Sequence, residues 1–380
     1  MKIVVVQDYL RSGGTERQSV LLANAFAAAG HTVTLLTFRP GGPLAATVAA
    51  DVTRITLQPF DTGLDWFAPG LARAVARTQP DVFLLMGRMA NCRGQAIVKQ
   101  VRARWPKTVV IATLRTGKAL PWLFRASLRQ VHHIIANSHD ARNNLIAHQH
   151  LPGDQISVIH NSLVFPPESA VWRNEALRAQ HGATTATTVL LSVAMFRPEK
   201  GQRELIEIVA GLPRQLDWQL WLAGDGPARA ACERLVAEKD LGARVKFLGF
   251  QRNPTPLYCA ADLAVHASSS EALSNFLIEA QAHGLLAIAY EAQGIRECFV
   301  PGRTGWVMQP GDRTGFRNTL TRRISEPDIA HAERAADARA YARRTFDPTR
   351  QVAAYIDLFD RLASPAPTVR RVSALTRDPA

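Results

Sequence analysis

The sequence predicts an α/β protein made of two doubly wound halves. Three observations carry this prediction. Short apolar, β-branched runs alternate with longer stretches at helical spacing, the pattern of a parallel sheet covered by helices. The alternation pauses near Ser162 and resumes near Thr187. The chain has 380 residues, 47% hydrophobic and 20% charged, which is enough core material for two domains.

The elements follow in order. Lys2 to Val6 is a first core strand, and Leu10 to Gly14 a glycine-containing turn. Thr15 to Ala29 is helical, with Leu21, Leu22, Ala25 and Phe26 at helical spacing and Gly30 as the stop. His31 to Phe38 is the next strand; Asp81 to Met86, Thr108 to Thr113 and His133 to Asn137 continue the set. Ser162 to Thr188, with Pro166-Pro167, reads as a linker. The second half reads strand Val189–Ala194, helix Gln202–Val209, strand Trp218–Ala223, helix Ala228–Lys239 and strands Val245–Leu248 and Asp262–Ala267. Residues 346 to 362 place Phe346, Val352, Tyr355, Ile356 and Phe359 at helical spacing. The tail from Ser364 has little core material and is expected to be disordered. The expected plan is therefore 1–165, 166–345, a helix over 346–363 and a tail over 364–380.

Composition narrows the function. No apolar run approaches the roughly 18–20 residues that span a bilayer. Gln7-Asp8 interrupts the apolar N-terminus, which reads as a strand and not as a leader. Cys92, Cys232, Cys259 and Cys298 lack metal-ligand spacing and fit reduced thiols of a cytoplasmic protein. The net charge of +13 favours an anionic partner. Nucleic acid is disfavoured, because no nucleic-acid module is present. Phosphorylated substrates and an acidic membrane surface remain. Lys118 to Arg129 interleaves Lys118, Arg125 and Arg129 with Trp122, Leu123, Phe124 and Leu128, which suits an anionic bilayer or an ordinary packed surface helix.

The most informative stretch is Ser268 to Gly284. Glu271 and Glu279 stand eight positions apart, between strand-like runs at Leu263–Val265 and Leu286–Ala289. Glu271 is expected near a strand-to-helix turn and Glu279 a little over two turns into the helix, on a similar face. The amides around Ala272, Leu273, Ser274 and Asn275 would form a helix N-terminus, which favours anions. A carboxylate for sugar hydroxyls, donors for a diphosphate and a second carboxylate for a ribose together suit a nucleotide sugar. The plain alternative makes Glu271 a cap and Glu279 a solvated helix residue. The apolar Phe276, Leu277, Ile278, Ala280 and Ala282 around Glu279 argue against it, since an unpartnered buried carboxylate is costly.

Gly13-Gly14 after the first strand lets a backbone approach phosphate at a helix start. Gly-x-Gly-x-x-Gly is absent, and Thr37-Phe38-Arg39 offers no acid to a ribose, which disfavours a dinucleotide cofactor. Lys200 in Arg197-Pro198-Glu199-Lys200-Gly201 would put a cation near a diphosphate leaving group. Gly224 belongs to a strand-end turn, Ala223-Gly224-Asp225-Gly226-Pro227.

The run from His266 to Gly311 resembles the donor-site signature of the retaining glycosyltransferases of family 4. It is carried by Ser268, Glu271, Glu279-Ala280, Gly284, Gly294-Ile295-Arg296-Glu297 and Gly302-Arg303-Thr304-Gly305. It departs at Ala272, where the family usually has Gly, at Leu286, at Gln293, and at Met195, where an Arg is common. The resemblance implies a GT-B architecture: two Rossmann-like domains facing a central cleft, with the 346–363 helix crossing back. It implies transfer of a sugar from a nucleotide sugar, with retention and no metal, to a glycan or lipid-linked acceptor. Lys200, Glu271 and Arg197 would be catalytic. Gly13, Gly14, Gly224, Ala272, Leu273, Ser274, Asn275 and Glu279 would bind the donor. No cofactor is expected beyond the donor substrate. The expected setting is the cytoplasm, including its membrane face. A family histidine in the first half has no clear counterpart; His132, His133 and His139 are candidates, as are Arg88 and Asn91 for the cleft. Alternatives on the same fold are a non-catalytic nucleotide-sugar binder, an epimerase or a phosphorylase.

Overall fold

The computed structural model describes residues 1–163, 165, 173–326 and 328–363; Pro166-Pro167 and the tail from Ser364 lie outside the described residues. The first half runs β1 (Lys2–Gln7), α1 (Gly14–Ala28), β2 (Thr32–Thr37), β3 (Thr53–Thr56), α2 (Leu71–Thr78), β4 (Val82–Leu85), α3 (Arg88–Cys92), α4 (Gly94–Arg104), β5 (Val109–Leu114), α5 (Trp122–Leu128), β6 (His133–Ala136), α6 (His139–Gln149) and β7 (Ile156–Val158). The second runs α7 (Glu175–Gln180), β8 (Thr188–Val193), α8 (Gln202–Ala210), β9 (Trp218–Ala223), α9 (Arg229–Glu238), β10 (Val245–Gly249), α10 (Thr255–Ala260), β11 (Leu263–His266), α11 (Asn275–Ala282), β12 (Leu286–Tyr290), β13 (Gly305–Met308), α12 (Arg313–Ile324), α13 (Asp328–Phe346) and α14 (Pro348–Ala363).

Each half holds one parallel sheet. Their strand orders are β3-β2-β1-β4-β5-β6-β7 and β10-β9-β8-β11-β12-β13. Helices cover both faces, so the strands read as continuous apolar runs. Val4 and Val6 of β1 enter the core under α2, α4 and α5, while Ile3 and Val5 enter the core under α1 and α14. Phe26 of α1 packs edge-on against Tyr355 and Phe359, which seats α14 on the first sheet. Leu191 and Leu190 of β8 divide in the same way between the two second-half cores.

The strand order reverses between β1 and β4 and again between β8 and β11. Doubly wound sheets hold ligands in the crevice beyond the strand ends at such switch points. The Gly13-Gly14 turn follows β1, the Arg197–Lys200 loop follows β8, and the Ser268–Ser274 loop follows β11. Topology therefore sends the predicted motifs to one place.

One expectation is corrected. Glu271 lies in the turn between β11 and α11, as expected, but the helix starts well after it. Residues 268–274 form a loop, and Ser274 caps α11, its Oγ accepting from the Leu277 N–H. Glu279 is thus just over one turn into the helix, and the predicted amide cluster is a loop running into a cap. A serine at the cap satisfies a helix-end donor, and this sets the start four residues later than expected. Of the two readings of Lys118 to Arg129, the packed surface helix fits, with α5 over Trp122–Leu128. Phe124 and Leu128 are buried in the first core, leaving Trp122 and Leu123 outside.

Candidate functional site

A cleft of about 820 Å³ lies between the two halves, and every residue expected to be catalytic or donor-binding lines it. Gly13, Gly14, Arg115, Lys118 and Asn161 come from the first domain. Arg197, Lys200, Gly224, Glu271, Ala272, Leu273, Ser274, Asn275 and Glu279 come from the second.

Glu271 anchors the second-domain wall. Its Oε1 accepts from Lys200 Nζ at 2.6 Å and lies 2.9 Å from His266 Nε2. Burial pulls the Glu271 pKa upward, but His266 and Lys200 outweigh it and hold the carboxyl down at about 2. The site therefore keeps a carboxylate in contact with Lys200 at neutral pH. His266 is buried at the end of β11 and was missed as a site residue; its position at the strand end, five residues before Glu271, was the available signal.

Glu279 has the opposite environment. Burial raises its pKa, against a hydrogen bond from the Tyr258 hydroxyl, 2.5 Å from Oε2, and the nearby Arg17 charge. Tyr258 stacks on His283 at 4.8 Å and holds its hydroxyl in place. No local pattern marks Tyr258, because it comes from a different helix, α10.

Phosphate-sized donors gather between these carboxylates and the first domain. The N–H groups of Ala272 and Leu273 carry no acceptor among the described residues. Opposite them α1 begins at Gly14 with Gly13 as its cap. Gly14 stands so close to Asn275 that an added Cβ would lie 2.9 Å from Asn275 Nδ2. Arg197 is exposed on the same cleft, two residues from Met195. Gly224 has φ of +138°, and a Cβ there would meet the Ala194 carbonyl at 2.0 Å, so only glycine lets β9 end against the loop after β8.

The first-domain wall reaches across. Lys118 Nζ pairs with Glu199 Oε1 at 2.6 Å. Gly117 lies against the backbone of Glu271, where a Cβ would meet the carbonyl oxygen at 2.0 Å. Asn161 donates to Asn275 Oδ1 at 2.6 Å and accepts from Arg115, which also donates to the Tyr355 hydroxyl of α14. None of the first-domain residues Arg115, Gly117, Lys118 and Asn161 was singled out for the cleft from the sequence.

Other candidates fall elsewhere. Arg88 donates to the Ala119 carbonyl, and Asn91 is buried in hydrogen bonds to Leu85, Gly87 and Thr113. His132 accepts from the Val110 N–H, and His133 bonds Ser157. His139, His160 and Glu297 form a group able to meet a metal ion, and none of the three lines the cleft. Glu297 there accepts from the His139 and Asp140 N–H groups, capping α6 from the other domain.

Comparison with known proteins gives the family and the fold. Residues 173–345 match the family described as Glycosyl transferases group 1, and residues 12–163 match Glycosyltransferase Family 4. The chain is a family 4, group 1 glycosyltransferase. It is 26% identical over 310 residues to N-acetyl-alpha-D-glucosaminyl L-malate synthase of Bacillus anthracis, covering 79% of both chains. It is 31% identical over 152 residues to the lipopolysaccharide core biosynthesis glycosyltransferase LpsE of Rhizobium meliloti, 40% of this chain and 44% of that one. In fold it is similar to Anabaena HepE, solved with UDP, at a TM-score of 0.79, 22% identity and coverage of 95% and 100%. Sucrose-phosphate synthase of Thermosynechococcus elongatus gives 0.76, 20%, and 95% and 99%. The architecture is GT-B. Within the glycosyltransferase, the Ala272 departure is accommodated: its φ is not positive, so the turn accepts a Cβ without strain. Met195 is 38% exposed in the cleft, an uncharged side chain where the family commonly has Arg.

Proposed function

We propose that this glycosyltransferase moves a sugar from a nucleoside-diphosphate sugar with retention and without a metal. The acceptor is a glycan or lipid-linked molecule of the cell envelope, met at the cytoplasmic face of the membrane. One observation carries the donor reading: Lys200, Glu271 and His266 stand bonded together beside unpaired backbone amides and across from Gly13-Gly14. Breaking the anomeric bond leaves a diphosphate with added negative charge. Lys200, Arg197 and the amides near Gly14 and Leu273 would stabilise it. Glu271, kept ionised, orients sugar hydroxyls; Glu279, with Tyr258, holds the ribose. Family membership implies front-face attack assisted by the leaving phosphate, with no protein nucleophile assigned. The name of one relative, a lipopolysaccharide core biosynthesis glycosyltransferase, supports an envelope acceptor.

The test is product analysis by NMR with UDP-sugar donors in the presence of a chelator. Retained anomeric configuration with full activity supports the reading; inversion or a strict metal requirement sinks it. Met195 favours a second reading, a non-catalytic nucleotide-sugar binder, since the leaving group loses one cation. Absence of both transfer and donor hydrolysis, with tight UDP binding, would select that reading. Release of free epimerised sugar or of sugar phosphate would instead mark an epimerase or a phosphorylase.

A further inference from the structure

The loop between β3 and α2 is built inside out. Its polar side chains are spent internally. Gln58, 1% exposed, donates Nε2 to the carbonyls of Leu64 and Phe67 and accepts from the Thr62 hydroxyl. Asp61 is held by Arg39, and Asp65 by both Arg39 and Arg11. Its large apolar side chains face outward: Phe60 is 69% exposed and Trp66 56%, with Leu64 and Phe67 also exposed. Six or more internal bonds fix this arrangement, so the aromatics are held out and not left loose. A soluble surface gains nothing from it, and a contiguous apolar patch marks an interaction site.

A second apolar point stands close by. Trp122, 68% exposed, and Leu123 open α5. Arg93 Nη2 donates to the Trp66 carbonyl at 2.7 Å, and α3, which ends beside Arg93, packs on α5. The loop follows β3 and α5 follows β5, so both sit at the strand-end edge where the cleft opens.

Charge names the partner. Residues 82–139 contain ten Lys or Arg (Arg88, Arg93, Lys99, Arg102, Arg104, Lys107, Arg115, Lys118, Arg125, Arg129) and no Asp or Glu, so this one stretch carries +10 beside a chain total of +13. Arg88 at the start of α3, Arg125 on α5 and Arg129 just after it are exposed. Two copies of this chain meeting through that face would oppose like charges. An anionic bilayer takes both features: the aromatics enter the interface and the cations meet the headgroups.

We propose that the 58–68 loop and the first turn of α5 form a two-point docking surface for an anionic lipid bilayer, bringing the cleft mouth to the membrane. This deepens the membrane-acceptor reading and rests on it. The test is co-sedimentation of the full chain with phosphatidylcholine vesicles, with and without phosphatidylglycerol. Binding is expected only with the anionic lipid and is released by high salt. A Phe60→Ser, Trp66→Ser double change should weaken it about tenfold or more, with UDP affinity by calorimetry unchanged. Binding equal to parent in the double variant, equal binding to neutral vesicles, or no vesicle binding overturns the proposal. So does a dimer in sedimentation that the double change abolishes while vesicles are ignored. A chain that binds vesicles but not UDP would instead overturn the donor-site reading and leave this surface standing.

Discussion

The two walls of the cleft are built on different plans. On the second-domain wall Lys200, His266 and Glu279 are held by their own domain: Lys200 and His266 by Glu271, Glu279 by Tyr258. On the first-domain wall the contacts cross the gap: Lys118 to Glu199, Asn161 to Asn275, Gly117 against Glu271. The first plan gives preorganised charge, fixed before a donor arrives. The second gives contacts that exist only when the domains are together. Chemistry should therefore fail sharply when the second-domain wall is changed and only mildly when the first-domain wall is.

The largest effect is expected at Lys200. Lys200→Ala should lower turnover about 10²–10³-fold, with a smaller change in donor affinity, because charge on the leaving group grows toward the transition state. Arg197→Ala should act in the same direction if it covers for Met195. Turnover equal to parent, with only the Michaelis constant raised, would contradict this role for the wall.

Next comes the pH dependence that Glu271 imposes. Its folded pKa of about 2 lies below its ordinary value, so the ion cluster stabilises the protein fully above that ordinary value. The contribution is lost as pH falls toward about 2. Its size is on the order of 3 kcal/mol. Denaturant unfolding of parent and Glu271→Gln should differ most near neutral pH and converge in acid. A gap independent of pH would mean that Glu271 is not held as a carboxylate.

Glu279→Ala should weaken nucleoside-diphosphate binding by about tenfold or more, the worth of a hydrogen bond to a charged group. Calorimetry that finds the same affinity removes Glu279 from the donor site. Glu279→Gln should recover part of the loss, since an amide oxygen still accepts from Tyr258.

Lys118→Ala tests the other wall and should change least. Its side chain is 45% exposed, and an exposed pair contributes at most about 1 kcal/mol. The melting temperature should stay near that of the parent, with any loss of activity small. A large loss of turnover would erase the contrast between the walls and make Lys118 part of the chemistry.

The sequence by itself determined the two doubly wound halves, the Gly13-Gly14 turn and the block around Glu271 and Glu279. These are local: apolar periodicity, turn glycines and short motifs are written in consecutive residues. It missed β3, an edge strand with mostly exposed residues, and β7, only three residues long, because neither has the apolar run of a central strand. Only the tertiary structure decided what each group does. Lys200 and Glu271 are 71 residues apart, and Asn161 and Asn275 are 114 apart. The two strand-order reversals bring them together, and no spacing along the chain records that. The same holds for the aromatic loop: no local pattern marks Phe60 and Trp66 as exposed, and it is Gln58 and the Arg11 and Arg39 pairs that turn the loop's polar side inward.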